Sequence, residues 1–284
     1  MRVVGVVGAG TMGNGIAHVF AAAGRWVRLV DTDAAALGRA LETIGRNLER
    51  QSRKGALAGT AAEVMGRIEG TGALEALAGS DLVVEAIVED VEAKRELFRR
   101  LTEIVPPRAV LASNTSAISI TALGAASRRA DRVVGMHFMN PVPLMPLVEV
   151  VRGVETSAAT LELVHALCRD LGKTPVAVHD SPGFVSNRVL MPMINEAIFC
   201  LAEGVADARA VDDVMKLGMR HPMGPLELAD LIGLDVCLAI LQVLHRELGE
   251  DKYRPCPLLA RSVAAGHLGR KSGRGFYIYG DADA

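Results

Sequence analysis

His137 closes one short apolar run and Glu149 stands inside another, Leu147-Val148-Glu149-Val150-Val151. A carboxylate in an apolar strand is costly to bury alone, so Glu149 demands a partner, and His137 is the candidate. Such a pair has a defined chemical use. The carboxylate accepts from one ring N–H, fixes the tautomer and stabilises the imidazolium once a proton arrives. The other ring nitrogen is then placed to act as a general base. Two further residues belong to the same chemistry. Ser116, in Ser113-Asn114-Thr115-Ser116, could cap the helix that follows it or bond a substrate oxygen as charge shifts. Asn187, just past Pro182-Gly183-Phe184, could end a helix or donate to a substrate carbonyl.

A proton acceptor of this kind needs something to take the hydride, and the N-terminus supplies it. The strand Arg2-Val3-Val4-Gly5-Val6-Val7 runs into Gly8-Ala9-Gly10-Thr11-Met12-Gly13, then a helical stretch, then a strand from Trp26 to Val30 that ends in Asp31. Gly8 suits the tight turn, Gly10 lets backbone approach a pyrophosphate, and Gly13 lets the helix pack closely on the strand. The helix N-terminus offers N–H groups and a positive dipole end to phosphates. Asp31 can accept from both ribose hydroxyls and would repel a 2′-phosphate. The expected cofactor is NAD, held by Gly8, Gly10, Thr11, Met12, Gly13 and Asp31.

The elements that position these groups fall into two textures. Before about residue 182, strands over 82–85, 110–112, 133–137, 147–151 and 175–178 alternate with helical patterns such as 91–105 and 157–171. That alternation predicts an α/β fold with a doubly wound, Rossmann-type, mostly parallel sheet. A long helical pattern between Ala34 and Met65, interrupted at Gly55, reads as a helical hairpin inserted off the sheet. After Ser181-Pro182-Gly183 the strands stop. Residues 187–202, 207–217, 225–248 and 258–265 read as helices, several of them apolar on more than one face, and residues 269–277 as a basic, glycine-rich turn leading to a short strand. The expected division is a dinucleotide-binding domain over 1–182 and an all-helical domain over 183–284, whose surplus apolar surface calls for a homodimer.

Composition narrows the class. With 284 residues, half of them hydrophobic, the chain can bury a large core in two domains. A net charge of −2 argues against nucleic-acid or membrane-surface partners. No apolar run approaches the roughly 20 residues of a membrane span, and the first strand reads as part of the phosphate turn rather than as a signal peptide. Cys168, Cys200, Cys237 and Cys256 are widely spaced and read as reduced packing residues, which places the protein in the cytoplasm. His18, His165, His179, His221, His245 and His267 show no metal-ligand spacing, and no metal is expected. Arg46, Arg50, Arg53 and Lys54 recur on one side of the long helix, as a solvated face or as a site for phosphates of a large anionic substrate.

Nine segments in order carry a resemblance: Gly8-Ala9-Gly10-Thr11-Met12-Gly13, residues 84–92, Ser113-Asn114-Thr115-Ser116, residues 137–143, 147–151, 182–188, 221–225, 230–236 and 269–277. Over essentially its whole length the chain resembles the L-3-hydroxyacyl-CoA dehydrogenase family, among them bacterial 3-hydroxybutyryl-CoA dehydrogenases. The resemblance implies NAD-linked interconversion of (S)-3-hydroxyacyl-CoA and 3-oxoacyl-CoA, with a short acyl chain, in fatty acid or butanoate metabolism. His137 and Glu149 correspond to the family's catalytic pair, with Ser116 and Asn187 completing the substrate site. Asp31, Glu89, Lys94, Ser116, Asn140 and Lys271 match cofactor positions, and Lys54, with Arg50 beside it, matches a coenzyme A-binding position. There are departures: Pro146 stands where relatives often carry Lys, Ser186 where an aliphatic residue is usual, and Met139 where Phe is common; each could alter acyl-chain preference. Two other readings compete: dehydrogenation of a free hydroxy acid, such as a sugar acid or a carnitine-like alcohol, and a dinucleotide-binding structural protein that has lost catalysis.

Overall fold

The computed structural model describes residues 1–280, which divide into two compact units, Met1–Ser181 and a second beginning at Pro182. In the first, an eight-stranded sheet runs in the order β3-β2-β1-β4-β5-β6-β7-β8. Its elements in chain order are β1 (Val3–Val7), α1 (Thr11–Ala22), β2 (Trp26–Val30), α2 (Ala34–Arg53), α3 (Ala61–Met65), β3 (Ile68–Thr71), β4 (Leu82–Glu85), α4 (Val91–Ile104), β5 (Val110–Ser113), α5 (Ile120–Ser127), β6 (Val133–Phe138), β7 (Leu147–Arg152), α6 (Ala158–Asp170) and β8 (Thr174–His179). All neighbours pair in parallel except β6 and β7, which are antiparallel. This is the expected doubly wound, mostly parallel sheet, with its strand order reversing beside β1.

β1, β4 and β5 are almost wholly buried, which is why they read as unbroken apolar runs rather than as alternation. β3, Ile-Glu-Gly-Thr, escapes such a reading. It is an edge strand with two exposed central residues, and its Gly and Glu carry little strand preference. The inserted hairpin has unequal arms. α2 buries Ala40, Ile44 and Leu48, four residues apart, against the main core, and exposes Arg46, Arg50, Arg53 and Lys54. The returning arm, α3, spans only five residues and starts with a reciprocal cap: Glu63 N–H donates to Thr60 Oγ1 and Thr60 N–H to Glu63 Oε2.

The second unit is helical: α7 (Ser186–Ala202), α8 (Ala208–Asp213), a π-helical turn (Val214–Gly218), α9 (Pro225–Ile232), α10 (Leu234–Leu248) and α11 (Pro257–Ala264). Its core gathers Met191, Ile194, Ile198, Leu226, Leu241 and Leu259. The apolar stretch 225–248 is two helices rather than one. Gly233, at φ +105°, ends α9, and α10 leaves at 97° to it. Among the described residues, no single helix is long and apolar enough to cross a membrane. The expected terminal strand is also absent from the described tail, which forms a 3₁₀ turn (Arg270–Ser272) and two isolated bridges. Asp230, 1% exposed, accepts the backbone N–H groups of Phe276 and Tyr277 that a strand partner would otherwise take.

Candidate active site

The antiparallel reversal after β6 sets His137 and Glu149 directly opposite each other. His137 Nδ1 lies 2.8 Å from Glu149 Oε2, with the residues 8% and 3% exposed. The carboxylate engages Nδ1, so exchange of a proton with a ligand falls to Nε2. Desolvation strengthens such a pair and holds the ring in one orientation.

The turn between the two strands is braced from the neighbouring edge of the sheet. Lys173 Nζ donates to the carbonyls of Val142 (2.6 Å) and Met145 (2.8 Å), and Thr174 N–H donates to that of Pro146 (2.7 Å). Burial pushes the Lys173 ammonium below the ordinary lysine range. The segment around Pro146 is thus served by a buried cation from elsewhere in the chain. Asn140 sits exposed on this turn, before a cis bond to Pro141.

A second cluster joins the ends of β4 and β5. Glu89 Oε1 accepts from Thr115 Oγ1 (2.5 Å), Ser116 N–H (2.9 Å) and Ser116 Oγ (3.2 Å), while its Oε2 lies 3.1 Å from Lys94 Nζ. Burial alone would raise the Glu89 carboxyl, but the Lys94 charge, the Thr115 hydroxyl and the Ser116 N–H outweigh it and hold it below the usual range. Lys94 is only 1% exposed, and its ammonium also meets Glu85 Oε1 at 2.5 Å. The Lys94 side chain is therefore committed to two carboxylates. Asn114 Oδ1 accepts Phe138 N–H (2.9 Å), tying the Ser116 turn to the end of β6, one residue past His137.

The glycine-rich turn lies between β1 and α1. Gly8 has φ +101°, and its N–H donates to the Val30 carbonyl. A Cβ on Gly13 would come 1.7 Å from the Gly8 carbonyl oxygen, whereas one on Gly10 would meet no protein atom within 4 Å. The space beside Gly10 is open to a ligand, and α1 begins there with no side-chain cap and no acidic residue in its first turn. Asp31 is held by Ala9 N–H on Oδ2 (2.7 Å) and Asp33 N–H on Oδ1 (2.9 Å). A cavity of about 630 Å³ runs past Gly8, Gly10, Asp31, Asp33, Val88 and Arg100. Uncapped helix N–H groups, an open glycine face and a fixed carboxylate suit a dinucleotide. A Gly13→Ala variant is expected to unfold at least several degrees lower and to bind NADH more weakly, because backbone must move to admit the methyl. Unchanged thermal melting together with unchanged NADH titration would contradict this.

The remaining site candidates come from other elements. Arg50 and Lys54 are exposed at the end of α2 and do not line that cavity. Asn187 (9% exposed, in the first turn of α7) and Lys271 (paired with Asp235 at 2.6 Å) belong to the second unit. Sequence reasoning overlooked Glu85. The signal was available: like Glu149, it is a carboxylate in an otherwise apolar strand, and a lysine follows in the next helix.

Comparison with known proteins gives a consistent picture. Residues 3–181 match the 3-hydroxyacyl-CoA dehydrogenase, NAD binding domain, and residues 183–279 the 3-hydroxyacyl-CoA dehydrogenase, C-terminal domain. The chain is 57% identical over 275 residues to a "Probable 3-hydroxybutyryl-CoA dehydrogenase" of Deinococcus radiodurans, covering 97% of this chain and 99% of that one. It is 53% identical over 280 residues to the 3-hydroxybutyryl-CoA dehydrogenase of Bradyrhizobium diazoefficiens, covering 98% and 96%. The crystal structure of (S)-3-hydroxybutyryl-CoA dehydrogenase from Ralstonia eutropha superposes with a TM-score of 0.94 at 48% identity, over 99% of this chain and 100% of the other.

Proposed function

Since the chain belongs to the 3-hydroxyacyl-CoA dehydrogenase family, we propose that it interconverts (S)-3-hydroxyacyl-CoA and 3-oxoacyl-CoA with NAD, on a short acyl chain of the 3-hydroxybutyryl kind. The observation that carries this reading is the buried 2.8 Å His137–Glu149 pair, in a unit that also presents the β1–turn–α1 phosphate site.

Bound NAD would supply the hydride acceptor for oxidation and, reduced, the hydride donor for the reverse direction. Gly8, Gly10, Thr11, Met12, Gly13 and Asp31 hold its phosphates and ribose, with Glu89, Lys94, Asn140 and Lys271 contributing around it. In oxidation His137 Nε2 takes the hydroxyl proton; in reduction the imidazolium gives it back. Glu149 keeps the ring aimed and offsets its charge. Ser116 and Asn187 hold the substrate's oxygens. Arg50 and Lys54 meet the phosphates of coenzyme A from the exposed end of α2. The exposed apolar side chains of the second unit, among them Val189 (67%), Val214 (62%) and Leu217 (83%), seat a second copy of the chain in a homodimer. A cytoplasmic location agrees with cysteines that pack rather than pair: burial pushes the Cys168 and Cys237 thiols up to about 12.

The test is NADH oxidation with acetoacetyl-CoA beside free acetoacetate. The thioester should turn over far better, and equal use of the free acid would remove the coenzyme A assignment. Replacing Arg50 and Lys54 together by Ala should raise KM for acetoacetyl-CoA about five-fold and change kcat less than about two-fold, since only remote binding is lost. Raising the salt should shrink that difference. An unchanged KM would leave the basic face merely solvated.

A further inference from the structure

We propose that Glu85 is a positioning residue for the reaction, acting through the turn that presents Ser116; the inference rests on the placement of Ser116 in the substrate site. Glu85 is fully buried and does not line the cavity past Gly10 and Asp31. Its two oxygens hold the Ser116 turn by separate routes. Oε2 accepts from Ser113 Oγ (2.6 Å), and that hydroxyl oxygen in turn accepts Thr115 N–H (3.2 Å). Oε1 accepts from Lys94 Nζ (2.5 Å) and Ile87 N–H (2.7 Å). Lys94 carries the second route onward to Glu89, whose Oε1 receives both the N–H and the hydroxyl of Ser116. The Glu85 backbone adds a third hold, since its carbonyl accepts Asn114 N–H (2.8 Å).

The donor set suits a carboxylate. Three donors converge on the Glu85 side chain: a hydroxyl, an ammonium and a backbone N–H. A glutamine that keeps its oxygen on Lys94 and Ile87 turns its NH₂ toward Ser113 Oγ, so that contact must reverse, and the hydroxyl then accepts from both Thr115 N–H and the amide and is redirected. Charge acts in the same direction. Lys94 divides its attraction between Glu85 and Glu89; with Glu85 neutral, the ammonium draws toward Glu89, and the Glu89 carboxylate shifts away from Ser116. Glu85 therefore governs where the Ser116 hydroxyl stands without meeting the substrate.

Glu85→Gln is expected to lower kcat for acetoacetyl-CoA reduction about ten-fold, with KM for the thioester within about two-fold, because a misplaced hydroxyl costs more in the transition state than in the bound substrate. The deciding measurement is a double-mutant cycle. If Glu85 works through Ser116, Glu85→Gln in a Ser116→Ala background should change kcat by less than about two-fold. An equal fall in both backgrounds overturns the proposal and leaves Glu85 a general support of the fold. Ser116→Ala alone keeping wild-type turnover would remove the substrate-site assignment itself, a separate failure visible before the cycle is closed. Should Glu85→Gln fail to fold, Ser113→Ala cuts the Oε2 route with a small side chain; its fall in kcat must likewise vanish in the Ser116→Ala background, and persistence there overturns the proposal.

Discussion

His137→Gln is expected to lower kcat for acetoacetyl-CoA reduction by about 10²–10⁴-fold, the range that general acid–base catalysis supplies. Glutamine keeps polar atoms near those of the ring and leaves a donor toward Glu149, so the carboxylate is not stranded in a 3%-exposed site. NADH binding should persist, because the glycine turn and Asp31 lie on other strands. Glu149→Gln should cost about 10²-fold: an amide can still meet Nδ1, but it no longer offsets the imidazolium. The two side chains act as one unit, so the double variant should be scarcely worse than His137→Gln alone. Steady-state kinetics on the three proteins decides it. Turnover near wild type in His137→Gln would eliminate the assigned base, and simple multiplication of the two losses would uncouple the pair.

The second large effect concerns cofactor choice. kcat/KM with NAD should exceed that with NADP by about 10²-fold or more, since a 2′-phosphate would be pressed against a fixed carboxylate and like charges brought together cost several kcal/mol. Asp31 has little freedom to withdraw, with backbone N–H donors on both oxygens. Asp33 and Glu75 line the same cavity, and Arg100 is the cation there. Asp31→Asn keeps an acceptor for Ala9 N–H and removes the charge. It should narrow the ratio, chiefly through better use of NADP. Comparable efficiency with both cofactors in the unmodified enzyme would refute the role given to Asp31.

Local rules made much of this fold legible, and they fail where position depends on distant partners. The β1–turn–α1 unit reads from its residues because Gly8 takes a positive φ and a Cβ on Gly13 would come 1.7 Å from the Gly8 carbonyl oxygen, both local needs. Buried parallel strands announce themselves as apolar runs, and β3 does not because it is a polar edge. The stretch over α9 and α10 is apolar throughout, so periodicity alone cannot reveal that Gly233 takes a positive φ and splits it. The carboxylate of Glu149 invited a partner at once, and the register sets His137 opposite it. Glu85 carried the same invitation, but its partners come from α4 and from the end of β5, elements whose meeting with β4 is set by the sheet order. Lys94 became a candidate through likeness alone; its burial between two acids is set by elements that meet only in the fold.

The hairpin of β6 and β7 imposes a rule of parity on the segment that joins them. Side chains alternate across a sheet, so cross-strand partners share a side only while the pairing stays in step. Lengthening the connection by one residue, and so sliding β7 by one place, would turn Glu149 toward the opposite surface and bring Val148 or Val150 before the imidazole. Variants of this segment should therefore tolerate changes of side chain, while insertions must come in pairs or be absorbed in the loop or as bulges that restore the count.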